Sequence, residues 1–99
     1  FRDVPRFPPL RRDLAFVVRD DVPAGGVQRS LEAAAGPLLD RVVLFDVFTG
    51  GGLPEGHRSL AFALEFRAPD RTLTDEEADP IVAAIVERLW SEHAAQLRT

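Results

Sequence analysis

The stretch from residue 39 to residue 67 constrains this chain more than any other. It reads LDRVVLFDVFT, then GGGLPEG, then HRSLAFALEFR. The last segment alternates without a break, with Leu60, Phe62, Leu64 and Phe66 on one parity and Ser59, Ala61, Ala63 and Glu65 on the other. A period of two belongs to a strand with one buried face. The first segment is also strand-like, but both of its parities are apolar. Val43, Phe45 and Val47 make one, and Val42, Leu44, Asp46 and Phe48 the other. The pattern alone leaves its inward face open. A seven-residue glycine-rich connection between two such segments predicts a hairpin.

The rest of the chain must be compatible with that hairpin. Residues 1–10, FRDVPRFPPL, hold three prolines and predict an extended lead-in. Residues 11–18, RRDLAFVV, alternate Leu14, Phe16 and Val18 against Asp13, Ala15 and Val17, a strand with one apolar face. After a turn at 20–22, Pro23 suits a first helical turn, where no backbone donor is missed. Val27, Leu31, Ala34 and Ala35 recur at helical spacing, and Gly36-Pro37 stops the helix. Thr74 with Glu77 three residues on reads as a capping box. The buried stripe expected of the second helix is Ala78, Ile81, Val82, Ile85, Leu89 and Trp90. Pro80 either kinks this helix or starts it, with Asp79 as cap. The tail AAQLR (94–98) is long enough for a short last strand.

The order is β-α-β-β-α-β. It predicts an α+β, ferredoxin-like sandwich: a four-stranded antiparallel sheet with both helices on one face. The other face stays open, lined by Asp13, Ala15, Ser59, Ala61 and Glu65. Small residues there let a flat ligand approach the backbone.

With 99 residues, 45% hydrophobic and 28% charged, the chain makes one ordinary folded domain, residues 1–99. It begins with Phe1 and contains no Met, which suggests a piece of a longer chain. The absence of Cys excludes disulfides, Cys-ligated zinc and thiol nucleophiles. No apolar run approaches a membrane span and no signal peptide opens the chain; a cytoplasmic location is expected. The net charge of −4 argues mildly against nucleic acid as partner. Distribution matters more than the sum: Arg2, Arg6, Arg11 and Arg12 cluster at the start, whereas acids crowd the last helix. The four arginines are therefore candidates for phosphate contacts.

No catalytic constellation is present. GGGLPEG is followed by a strand, whereas a phosphate cradle needs a helix N-terminus. His57 and His93 have no third nitrogen or sulfur partner, so no metal site is expected. Asp75, Glu76 and Glu77 fit the first-turn preference of the helix dipole. Asp46 differs. It stands among Phe45, Val47 and Phe48 inside a strand, where an acid is disfavoured unless it faces water or a partner. One reading is a solvated acid. The other is a carboxylate that accepts the two adjacent donors of a guanine edge while Phe48 stacks on the base.

The segments RRDLAFVV, LFDVF, PEGHRSLAFALEF and RTLTDEE closely resemble, in order and spacing, the ferredoxin-fold anticodon-binding domain that ends the β subunit of bacterial phenylalanine–tRNA ligase. The resemblance implies a non-catalytic module without a cofactor of its own, within a cytoplasmic (αβ)₂ ligase. The ATP, Mg²⁺ and phenylalanine of that ligase sit in the α subunit. It implies that the domain grips the anticodon stem–loop of tRNA(Phe). Asp46 and Phe48 would face the first anticodon base, a guanine, with Phe45 and Val47 turned inward. Ala15, Ser59 and Arg98 would complete the RNA surface. Tyr is usual in the family where Phe48 stands; stacking survives that change and a hydroxyl contact is lost. The alternative class is a protein-interaction or small-ligand regulatory domain on the same kind of sheet.

Overall fold

A computed structural model describes residues 7–98. Its elements are β1 (Leu10–Arg19), α1 (Ala24–Ala35), β2 (Leu39–Phe48), β3 (His57–Phe66), α2 (Asp75–His93) and β4 (Gln96–Arg98). The four strands form one antiparallel sheet in the order β2-β3-β1-β4. This is the ferredoxin-like α+β architecture that the element order predicts. Arg2 and Arg6 lie outside the described residues.

Alternation builds the core. Leu14, Phe16 and Val18 of β1 and Leu60, Phe62, Leu64 and Phe66 of β3 are buried against Val27, Leu31 and Ala35 of α1 and Ile85 and Leu89 of α2. Each fully buried Leu, Val or Phe contributes on the order of 1.5–3 kcal/mol, so these two layers dominate the folding energy. Pro23 is the N-cap of α1 and not its first helical residue; its carbonyl accepts from the N–H groups of Gly26 and Val27. Gly36 closes α1 at φ 77°, a left-handed value glycine adopts without steric cost.

One expectation for α2 is corrected, and one of two alternatives is excluded. Trp90 is 60% exposed. It follows Leu89 by one residue, about 100° round the helix, and so falls off the buried stripe. Of the two readings of Pro80, a position inside the helix or its first residue with Asp79 as cap, the second is excluded. The helix begins at Asp75, and Pro80 lies inside it. The capping box decides this. Thr74 Oγ1 accepts from Glu77 N–H at 3.2 Å, and the Glu77 carboxylate accepts from Thr74 N–H at 3.1 Å. That nucleus outweighs the bond Pro80 cannot donate. His93, near the end of α2, bonds Ser30 of α1 at 2.8 Å and ties the helices together.

The Glu77 carboxyl is held below the ordinary glutamate range, first by hydrogen bonding from Arg71 and then by the Thr74 N–H. A depressed carboxylate stabilises the fold above its unfolded pKa, and that contribution is lost as pH falls through the folded value. A ¹³C titration of Glu77 should show a midpoint below that of a free glutamate, and Arg71→Gln should move it upward. Pro80→Ala should stabilise the domain by about 1–3 kcal/mol, because it restores an interior donor and removes a ring clash. Urea denaturation checks this as an increase in midpoint.

Candidate nucleic-acid interface

With both helices on one side, the other face of the sheet carries the residues that pair across it in register. Three rows can be followed. Asp46 pairs with Ala61, Ala61 with Ala15, and Ala15 with Arg98. Phe48 pairs with Ser59, Ser59 with Val17, and Val17 with Gln96. Further along, Arg41 pairs with Glu65, and Glu65 with Arg11. Residues directly opposite in antiparallel strands share a face. Asp46, Phe48, Ala15, Ser59 and Arg98 are thus drawn from all four strands onto one surface.

Strand β2 reaches this arrangement through a bulge. Leu44 pairs with Phe62, but Asp46 pairs with Ala61, so Phe45 is an extra residue. Before it, the even positions Val42 and Leu44 pair with core residues; after it, the even positions Asp46 and Phe48 pair with open-face ones. Both parities of β2 are apolar because each serves as the inner face over part of the strand. The inward expectation for Phe45 is corrected, since it is 56% exposed at the bulge. Val47 pairs with core-facing Leu60 and so lies on the helix side, yet it too is exposed, at the far end of an edge strand.

The two edges of the face meet. Arg98 Cζ lies 5.1 Å from the centroid of the Phe48 ring. Three interstrand gaps of about 4.8 Å separate β2 from β4, so the two side chains must lie flat over what is between them. Ala15, Ala61 and Ser59 are small enough to permit this. Ser59 is only 2% exposed. A cation over an aromatic face contributes about 0.5–1 kcal/mol at an exposed site. The ring is also located from the loop side: a Cβ at Gly51 would stand 2.6 Å from Phe48 Cζ, and Gly51 has φ +53°. Asp46 is exposed and makes no hydrogen bond or ion pair among the described residues.

The N-terminal arginines divide. Arg11 lies on the open face, paired with Glu65 at 3.2 Å. Arg12 points to the helix side, where its guanidinium meets Asp79 at 3.2 Å and Asp75 at 3.4 Å. It is therefore not gathered with the other candidates. Arg41 went unnoticed in the sequence because its face depends on where β2 shifts register, between Leu39 and Arg41 and again between Leu44 and Asp46. No group of three or more His, Cys, Asp or Glu side chains that could hold a metal occurs among the described residues. The glycine-rich loop leads into β3, and His57 Nδ1 lies 3.0 Å from the Glu55 carbonyl oxygen.

Residues 5–98 match the family model described as the ferredoxin-fold anticodon binding domain. The chain belongs to this family. It is 51% identical over 98 residues to the phenylalanine–tRNA ligase β subunit of Salinibacter ruber, and 47% identical over 98 residues to that of Anaeromyxobacter dehalogenans. Each alignment covers 99% of this chain and 12% of the relative. The β subunit of Geobacillus kaustophilus is 48% identical over 89 residues, 90% of this chain and 11% of the relative. The chain thus spans about an eighth of the length of these relatives. The family description names a binding task and not a reaction. Within this anticodon-binding domain, the Phe48–Arg98 stack is the most specific feature of the open face. Phe48→Leu should abolish the upfield ring-current shift of the Arg98 Hδ protons while leaving the core methyl resonances of Leu60 and Leu64 in place. An unshifted Arg98 in the wild-type protein would contradict the stacked geometry.

Proposed function

We propose that this domain binds the anticodon stem–loop of tRNA(Phe), with the open sheet face reading the first anticodon base, a guanine. The observation that carries this reading is the convergence of a carboxylate, Asp46, which has no hydrogen bond or ion pair among the described residues, and a ring, Phe48, over a floor of small residues. A guanine Watson–Crick edge presents two adjacent donors, which a carboxylate accepts with both oxygens. The exposed aromatic plane supplies stacking, and the alanine floor lets the base lie close to the backbone. Single-stranded bases are read by this combination of stacking and edge contacts.

Arg98 takes part on this reading. Its guanidinium stands over Phe48 in the free domain, so an incoming base either stacks on the pair or takes the place of the cation. Ser59, only 2% exposed, lies beneath this site as part of its floor. The domain performs no chemistry. It contributes binding energy and identity recognition within the β subunit of a cytoplasmic phenylalanine–tRNA ligase, whose ATP, Mg²⁺ and aminoacylation site belong to its α subunit.

The test is an NMR titration with the tRNA(Phe) anticodon stem–loop and with a variant carrying adenine at the first anticodon position. Shifts centred on Ala15, Asp46, Phe48 and Arg98, stronger with guanine, are expected. Asp46→Ala should reduce guanine-over-adenine discrimination by about 1–3 kcal/mol. Phe48→Ala should weaken both complexes by a similar amount, about 1–3 kcal/mol, through lost stacking. An Asp46→Ala protein that discriminates as well as wild type removes the carboxylate from the reading. RNA shifts confined to the helix side would point to a different interface.

A further inference from the structure

Below the Asp46 row lies a second feature of the open face. Arg41, Glu65 and Arg11 stand opposite one another on β2, β3 and β1. Two arginines flank a single glutamate. Glu65 is engaged by Arg11 at 3.2 Å, whereas Arg41 has no ion pair or side-chain hydrogen bond among the described residues. Its sequence neighbour Asp40 is taken by Arg67 at 3.2 Å. Arg41 is therefore an exposed guanidinium without an ion pair among the described residues, on the same strand and the same face as Asp46 and Phe48. Glu65 and Ala61 are four residues apart on β3, so this row sits about 13 Å from the Asp46 row along the strands. A hollow of about 210 Å³, lined by Arg11, Asp13, Ala63, Leu64 and Glu65, adjoins it.

We infer that Arg41, with Arg11 as its partner across Glu65, binds the phosphate backbone of the RNA strand whose base occupies the Asp46–Phe48 site. The inference rests on the proposed RNA-reading role of the open face and adds the backbone contact that the face otherwise lacks. A planar guanidinium fits a phosphate with two parallel N–H donors. Phosphate contacts set register and orientation, and base contacts set identity. The two rows divide these tasks along one strand direction. Glu65 restrains the affinity: it keeps Arg11 partly neutralised and repels phosphate, so the row carries one net positive charge and not two. Asp13 sits on β1, on the far side of β3 from Arg41, and leaves that arginine the least opposed cation of the row.

The experiment measures binding of the guanine and adenine stem–loops to the 99-residue chain, and to the full-length β subunit assembled in its ligase, across a salt series. Arg41→Gln should weaken both stem–loops equally. It should reduce the slope of log affinity against log salt by about 0.7–0.9, roughly fivefold in affinity at 0.1 M salt from counterion release alone. Glu65→Gln should act in the opposite direction, strengthening binding and steepening the slope, with discrimination unchanged. If Asp46→Ala loses discrimination while Arg41→Gln leaves slope and affinity at wild-type values, the phosphate row is overturned and the base site stands. If neither variant changes binding, or wild type binds no RNA at low salt, the open face is not the RNA surface and both proposals fall. A loss that Arg41→Gln shows for only one of the two stem–loops would make Arg41 a base contact and overturn the backbone assignment.

Discussion

Every other feature of this domain hangs on the register of β3 between β1 and β2. Leu60, Phe62, Leu64 and Phe66 form one side of that strand and are all buried. Ser59, Ala61, Ala63 and Glu65 form the other. A slip of one residue would turn four large apolar side chains to water and bring a glutamate into the core, at a cost of about 6–12 kcal/mol in lost burial alone, comparable to the whole stability of a small domain. The same alternation that drives folding therefore prepares the open face. Because β3 spends its bulk on the helix side, it leaves a floor of alanines and a serine on the other, and β2 and β4 supply the long side chains that cross it.

The bulge at Phe45 is the complementary device. An edge strand that alternated normally from Val42 onward would turn Asp46 toward the helix side, where a carboxylate has no partner. The extra residue shifts the parity, so the apolar Val42 and Leu44 serve the core while Asp46 and Phe48 serve the open face. Bulges at sheet edges commonly re-aim a side chain next to a functional site. Exposure of Phe45 and Val47 accompanies this one. The break in regular pairing also blunts an apolar edge that would otherwise template strand addition.

These two devices differ in how far they can be read from residues alone. The alternation of β1 and β3 is local and uninterrupted, so the open-face positions Asp13, Ala15, Ser59, Ala61 and Glu65 were legible from the sequence. So were the element order, the capping box at Thr74 and the Gly36 stop. The bulge is a property of pairing between strands. It leaves in β2 only the ambiguity of two apolar parities; the family resemblance turns Asp46 and Phe48 to the open face, as the pairing does, but expects Phe45 inside, where the bulge leaves it exposed. Trp90 has the apolar character of a core residue, but its helical phase sets it off the buried stripe. Pro80 leaves two starts open for α2 in the sequence, because one residue's backbone preference competes with a cap that supplies two hydrogen bonds; the cap prevails. Arg11 and Arg12 looked equivalent as a cluster, but adjacent residues in a strand face opposite ways, and that alone separates them.

The net charge of −4 is the property least expected of an RNA reader, and its distribution resolves the tension. Asp75, Glu76, Glu77 and Asp79 lie at the N-terminal end of α2, where the helix dipole favours anions. Two of them engage Arg12 and one engages Arg71, all away from the open face. On the open face, Arg11, Arg41 and Arg98 stand against Asp13, Asp46 and Glu65, an even balance in place of a basic field. Such a surface attracts a polyanion only weakly at long range. It discriminates at short range on the proposed reading, because a carboxylate covered by a group that offers it no donors loses its hydration without compensation. On the proposed reading, this domain is built for identity more than for affinity. Its phosphate contacts need only be strong enough to offset the acid that makes the choice, and the remainder of a β subunit some eight times longer can hold the tRNA close enough for that choice to be made.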